Sequence, residues 1–483
     1  MAKTGIDWIT YYTPGLYLDI EELAEKRGIE PAKLKKGLGL TAMALCDTDE
    51  DTVTMASEAV LKLIEQSGTD PRTIGRLYMG TESALDSAKP TATYVASVVE
   101  KAVEGKYGER CFKNCDVLDM TFACVGAVDA LHNCLEWVRG DASRKAIVIA
   151  SDYAKYPLAS TGEYTQGAGA VAMLVSHAPR LCSVSRDFGI GMQGAGDFFK
   201  PFHSFSKMEL LENALRAAGY PAEKADTVME KLSEDAFWGH PDANVFLHRD
   251  EPVFDGPLSN DCYCARITEA LEHFSSMRQT DVLDDWDRII FHQPYAYQGR
   301  RMIVGNWVGW MAGKGRLGEI EQQAGMELTE SNAADFYKAA AKTPLYRQFV
   351  DSRIEKGERA STLIGNMYTG SVFMSLVSML RSEYDLGTDM SGKTVGCFAY
   401  GSGSKGKVFT LSVEPSWGMV VGGGDIFPYL ASRRRVDFET YEKLHAGTLE
   451  RPVSCDRRVS SAGVSSEPLS EGLRKYSVDG VVI

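Results

Sequence analysis

Short runs that are apolar on both alternate positions recur along this chain, at Arg76–Met79, Val117–Met120, Ala146–Ala150, Ala170–Val175, Arg288–Phe291, Val395–Tyr400 and Val408–Val413. A strand that is apolar on both faces has to be covered on both, so these segments belong in a sheet flanked by helices. Helical patterns stand between them, at Thr52–Gln66, Ala92–Val103, Gly126–Val138 and Ser371–Ser382. The alternation predicts a layered α/β fold. The two halves also echo each other. Lys145–Ser151 leads through a loop to Gly167-Ala-Gly-Ala-Val, and Lys393–Tyr400 leads through Gly401-Ser-Gly-Ser to Lys407–Val413, which suggests a duplication.

Four regions follow from this pattern. Residues 1–192 form a first half and 286–447 a second. Residues 193–285, richer in helix formers, proline and charge, read as a helical insertion and connecting region. Residues 448–483 are a polar extension, with the last thirty or so residues expected to pack loosely. A net charge of −14 argues against a nucleic-acid or membrane-surface role, since either needs a basic face. The N-terminus has no charged segment followed by an apolar one, and the apolar stretch Ile303–Gly313 is too short to span a bilayer. The expected location is the cytoplasm. Ten cysteines with no CxxC pair predict neither a disulfide framework nor a structural metal, and most should be buried small hydrophobes.

One cysteine differs. In Asp119-Met-Thr-Phe-Ala-Cys124-Val-Gly-Ala, a strand ends and a helix begins, so Cys124 stands at a helix N-terminus. There the backbone dipole favours the thiolate, and the small neighbours Ala123, Gly126 and Ala127 let other backbone come close. A buried, inert cysteine remains the other reading of this segment. His292 ends the apolar strand Arg288–Phe291, whereas His203, His240, His248 and His445 fall in polar loops or helices. A strand's C-terminal edge is the usual place of chemistry in α/β proteins, although a histidine there also serves simply as a loop partner. Glu82 follows another strand. In a dry pocket it would act as a general base, and on a surface it would be a cap.

Taken together, these segments resemble the hydroxymethylglutaryl-CoA synthase family of the thiolase superfamily, of bacterial type. The matching motifs are Thr81-Glu82-Ser83 to Pro90, Ala123-Cys124, Gly162-Glu163 with Thr165 to Val171, and Asp197-Phe-Phe-Lys-Pro201. They continue with Pro252 to Gly256 and Leu258-Ser259, Phe291-His292-Gln-Pro294, Gly365-Asn366 to Ser371, and Tyr400-Gly-Ser-Gly403. They occur in the family's order over residues 5–440. The resemblance implies the layered αβαβα thiolase fold, a homodimer, and the condensation of acetyl-CoA with acetoacetyl-CoA and water to give 3-hydroxy-3-methylglutaryl-CoA and CoA, with no cofactor. It implies that Cys124 carries the acetyl group, that Glu82 removes a methyl proton, and that His292 anchors the acetoacetyl thioester and supplies a hydrogen bond or proton to its β-carbonyl oxygen. Asp152, Tyr156, Asp197, Asn366 and Ser402 would orient these groups and the substrate carbonyls.

There are departures. The family usually has a lysine three residues after the proline of its His-x-Pro, and here Tyr297 stands there. Arg300 and Arg301 lie one turn on, where they either replace that charge or face solvent. Changed handling of CoA keeps a related reading open, a polyketide β-branching synthase acting on thioesters bound to an acyl carrier protein. A non-catalytic thiolase-fold scaffold is the third reading. Gly189-Ile-Gly191-Met-Gln-Gly194 matches the dinucleotide fingerprint GxGxxG, but no helix should follow it, so no nicotinamide site is expected.

Overall fold

The computed structural model describes residues 3–247, 250–454 and 457–483. His248 lies outside the described residues. The described chain contains two compact units, Met1–Asp197 together with Gly256–Ile483, and Phe198–Asp255.

The larger unit is built on one mixed sheet of ten strands. From edge to edge the order is Arg288–Phe291, Thr394–Gly401, Lys405–Val413, Cys182–Val184, Thr4–Tyr12, Ala168–His177, Lys145–Tyr153, Ile74–Gly80 and Asp116–Met120. Gly189–Met192 pairs in addition with Lys405–Val413. All seven strands expected from the apolar runs are present, each extended by a few residues or matched. The strand Thr4–Tyr12, near the middle of the sheet, was not expected. Its sequence TGIDWITYY mixes polar and aromatic residues, and the buried Asp7 is accommodated by Arg180, whose Nη2 lies 2.6 Å from Asp7 Oδ2.

The duplication is visible in the pairing. In the first half Ile74–Gly80 runs parallel to Lys145–Tyr153, which is antiparallel to Ala168–His177, itself antiparallel to Thr4–Tyr12. In the second half Arg288–Phe291 runs parallel to Thr394–Gly401, which is antiparallel to Lys405–Val413, itself antiparallel to Cys182–Val184. Cys182–Val184, part of residues 1–192, also pairs with Gly5 and Ile6, so the halves join where it meets Leu411–Val413. One mostly buried helix precedes the central strand of each half, Gly126–Arg139 in the first and Ser371–Asp385 in the second.

The helix Gly256–Met277 lies on the sheet, and glycines let it approach. A Cβ at Gly189 would come 2.0 Å from Ala270 O, and one at Gly191 would come 2.6 Å from Arg266 O. Gly189 and Gly191 of the GxGxxG segment therefore sit in a strand against a helix, Gly194 lies past the strand's end, and no helix starts directly after them. The unit Phe198–Asp255 has two short antiparallel pairs, Phe198–Phe199 with Val253–Phe254 and His203–Ser206 with Asn244–Leu247. The Lys207 ammonium ties it internally, donating to Phe237 O at 2.6 Å and His240 O at 3.1 Å.

The C-terminal extension corrects an expectation. Val459–Val464, Arg474–Val478 and Val481–Val482 form a three-stranded sheet, and Val459, Tyr476 and Val478 are buried. The Arg457 guanidinium lies 2.9 Å from the buried Asp47 carboxylate and also pairs with Asp49. The polar sequence hid this docking because only a few apolar side chains, Val459, Tyr476 and Val478, join the core, with ion pairs beside them.

Candidate active site

The strand Asp116–Met120 leads into a turn, and the helix Gly126–Arg139 follows it. The Val125 N–H closes the turn on Phe122 O at 3.0 Å, and Ala123 takes a φ of 36°, which a residue with a Cβ seldom adopts. Cys124 thus sits just ahead of the helix, exposed to only 8%. Two glycines bring this helix start against the strand ends. A Cβ at Gly80 would lie 2.1 Å from Ala127 N, and one at Gly126 would lie 2.6 Å from Met120 O. The close approach sets Cys124 beside Glu82, and the thiol donates to Glu82 Oε1 at 3.0 Å.

Asp152, at the end of the strand Lys145–Tyr153 and fully buried, holds the Glu82 loop. Its Oδ1 accepts from Glu82 N–H and from Thr81 Oγ1, each at 2.9 Å. Its Oδ2 accepts from Thr369 N–H at 3.1 Å and from the Thr369 hydroxyl. A buried carboxylate with four donors is well satisfied, and here it crosslinks the first half to the start of the second half's central helix. Asn366 lies in that same turn, with its Oδ1 accepting from Tyr368 N–H at 2.8 Å. Tyr156 meets Tyr368 edge to face, with centroids 6.5 Å apart. Burial, followed by the nearby Cys124 and Glu82 charges, holds the Tyr156 phenol well above its usual pKa.

His292 follows its strand directly, and its Nδ1 lies 2.5 Å from Ser371 Oγ. Ser371 Oγ donates to Tyr368 O at 3.0 Å and accepts from Gln293 N–H at 3.2 Å. With the single hydroxyl proton directed to a carbonyl, Ser371 takes the proton of His292 Nδ1–H, and the hydrogen-bond set assigns the lone pair to Nε2. Burial lowers the pKa of His292 to about 3, so the ring is neutral. Behind it, Tyr263 donates to His292 O at 2.9 Å and packs on Tyr400, with centroids 4.9 Å apart. The Tyr400 hydroxyl donates to Asp197 Oδ2 at 2.8 Å, and Asp197 Oδ1 accepts from Gly403 N–H at 2.8 Å. Ser402 lies beside the Tyr400 phenol.

The eight candidate site residues, Glu82, Cys124, Asp152, Tyr156, Asp197, His292, Asn366 and Ser402, therefore fall in one connected set. Glu82, Cys124, Asp152, Tyr156 and Asn366 reach His292 through the Tyr368–Ser371 turn, and His292 reaches Asp197 and Ser402 through Tyr263 and Tyr400. Sequence reasoning did not assign roles to Thr81, Thr369 or Ser371, although all three lie in the quoted motifs. It did not find Tyr263 at all, because that residue lies in the region read as an insertion.

The arginines near Tyr297 divide. Arg300 is paired with the buried Glu358 and lies 4.0 Å over the Tyr297 ring, while that ring covers Gly39. Arg301 packs more loosely, 5.7 Å from the Tyr295 ring, and is exposed.

Comparison with known proteins identifies the family. Residues 2–179 match the family model "Hydroxymethylglutaryl-coenzyme A synthase N terminal", and residues 244–444 match its C-terminal counterpart. The chain belongs to the hydroxymethylglutaryl-coenzyme A synthase family. A hydroxymethylglutaryl-CoA synthase of Haloferax volcanii is 30% identical over 92% of this chain and 92% of its own length. One from Enterococcus faecalis is 26% identical over 93% of each. Among solved structures, MvaS in complex with 3-hydroxy-3-methylglutaryl coenzyme A covers 99% of both chains with a TM-score of 0.74 and 26% identity. The curacin-pathway HMG synthase in complex with holo donor-ACP shares the fold at 20% identity, with a TM-score of 0.70. The layered thiolase-like architecture of the synthase family is thus that of this chain.

Proposed function

We propose that this synthase condenses acetyl-CoA with acetoacetyl-CoA and water, giving 3-hydroxy-3-methylglutaryl-CoA and free CoA for the mevalonate route to isoprenoids. The 3.0 Å contact between Cys124 Sγ and Glu82 Oε1 carries the reading. Cys124 attacks the acetyl thioester, CoA leaves as its thiol, and the acetyl group stays on sulfur. Its methyl carbon then lies two bonds from the sulfur, within reach of the same carboxylate. Glu82 takes a methyl proton, and the resulting carbanion attacks the β-carbonyl of acetoacetyl-CoA. His292 anchors that acceptor. With the ring held by Ser371, the Nε2 lone pair relays to the developing alkoxide the proton that Glu82 has taken, which completes the new hydroxyl and restores the carboxylate. Water then cleaves the thioester and frees Cys124. Asp152 fixes the Glu82 backbone, while Asn366 and Tyr156 shape the wall beside the sulfur. Asp197 and Ser402 support the Tyr400–Tyr263 stack behind His292.

The test is incubation with both CoA esters while CoA release is followed. Release that depends on acetoacetyl-CoA supports the proposal. Tyr297, standing where the family has a lysine, and Arg300, held by Glu358, favour the second reading with carrier-bound thioesters. Turnover only with carrier-bound acyl groups would select it.

The expected homodimer is supported by the two sheet edges. Arg288–Phe291 is almost wholly buried, whereas Asp116–Met120 is half exposed, with Leu118 at 41%. An open strand of this kind pairs readily with a second copy. All nine described cysteines are free, which fits a reducing compartment such as the cytoplasm. Among the described residues no helix is long and apolar enough to cross a membrane.

A further inference from the structure

The segment between the strand Ile74–Gly80 and the helix Thr91–Tyr107 carries Glu82 and has no helix or strand of its own. Both of its ends rest on residues that the C-terminal extension touches. At the start, Thr52 Oγ1 donates to Ser83 O at 3.0 Å. Thr52 opens the helix Thr52–Ser67, whose cap Asp51 accepts from Val53 N–H and Thr54 N–H through Oδ1 at 2.9 Å each. Asp51 Oδ2 accepts the Tyr476 hydroxyl at 2.9 Å. At the far end, the Lys89 ammonium lies 4.2 Å from the centroid of the Tyr94 ring, and Tyr94 meets the Tyr476 ring edge to face at 5.9 Å. One tail side chain, 2% exposed, therefore braces both supports of the loop. The tail is itself anchored. Arg458 pairs with Glu65 at 2.9 Å and donates to Ala102 O at 3.1 Å, and Val459 N–H donates to Glu58 at 3.0 Å.

We infer that the C-terminal sheet is a clasp that holds the Glu82 loop at its working distance from Cys124, with Tyr476 as its positioning residue. The matched family models end at residue 444, so neither covers this element. The inference rests on the proposed role of Glu82 as the base that creates the carbon nucleophile. A positioning role predicts a selective defect. Acetyl transfer to Cys124 needs the thiol, whereas carbon–carbon bond formation also needs Glu82 in register.

The experiment measures two rates in the full-length protein, the acetylation of Cys124 by radiolabelled acetyl-CoA and the consumption of the preformed acetyl-enzyme by acetoacetyl-CoA. Tyr476→Phe keeps the ring and removes the hydrogen bond to Asp51. It should slow the second rate by about tenfold and change the first by less than about twofold, because small misplacements of a reacting group are costly in rate. Tyr476→Ala, which also loses the contact with Tyr94, should slow the second rate further. Thermal melts confirm that each variant is folded. Equal loss of both rates, or no loss of either in both variants, overturns the clasp. A wild-type protein that fails to acetylate or to condense overturns the proposed function instead, so the two failures are distinguishable.

Discussion

At the scale of single residues, the proposed chemistry is divided among three side chains, each following a strand. Cys124→Ala should abolish both acetyl labelling and CoA release, while Glu82→Ala should retain the label and stop carbon–carbon bond formation. Labelling with acetyl-CoA followed by a condensation assay checks both. His292 gives a pH prediction. Its folded pKa of about 3 lies below the ordinary value of 6.5, so between those limits the unfolded chain binds a proton that the folded chain refuses. Stability should therefore fall as the pH drops from about 6.5 toward 3, and His292→Gln should flatten that slope in urea titrations at successive pH values. Cys124, Glu82 and His292 were legible because each follows an apolar run and so must emerge at a sheet edge. Tyr263 and Ser371 were not, since a residue that steadies another residue's ring imposes no periodicity of its own.

At the scale of elements, close backbone approach matters more than side-chain packing around the nucleophile. Gly80→Ala would put a methyl against the backbone of Ala127, which cannot swing aside as a flexible side chain would. The variant should lose most of its activity, and its urea midpoint should fall by the equivalent of about 1–3 kcal/mol, the usual cost of overpacking. Arg457→Met should be more damaging still. It leaves the buried Asp47 carboxylate without its guanidinium, and removing one partner of a buried pair costs about 3–5 kcal/mol, measurable by the same unfolding curves. The seven apolar strands and four helices were readable because each repeats one burial pattern over several residues. The N-terminal strand escaped because its core position is compatible with Asp7, given Arg180. The tail sheet escaped because its few buried side chains, Val459, Tyr476 and Val478, are scattered among polar residues and ion pairs and leave no apolar run.

At the scale of the whole molecule, the exposed edge at Asp116–Met120 predicts a sedimenting species of about twice the 53.0 kDa chain mass. Leu118→Lys on that edge should shift it toward the monomer in analytical ultracentrifugation. The repeated pairing order of the two halves has a further consequence. The sulfur and the carboxylate belong to one copy of the ancestral unit, and the imidazole and the hydroxyl that steadies it belong to the other. Asp152 and Thr369 fasten the two across the seam. On the proposed roles of Cys124, Glu82 and His292, neither copy alone holds a complete set of reacting groups, so a chain in which the two have not closed on each other should make no product. Correct assembly and competence to react are in this protein a single event.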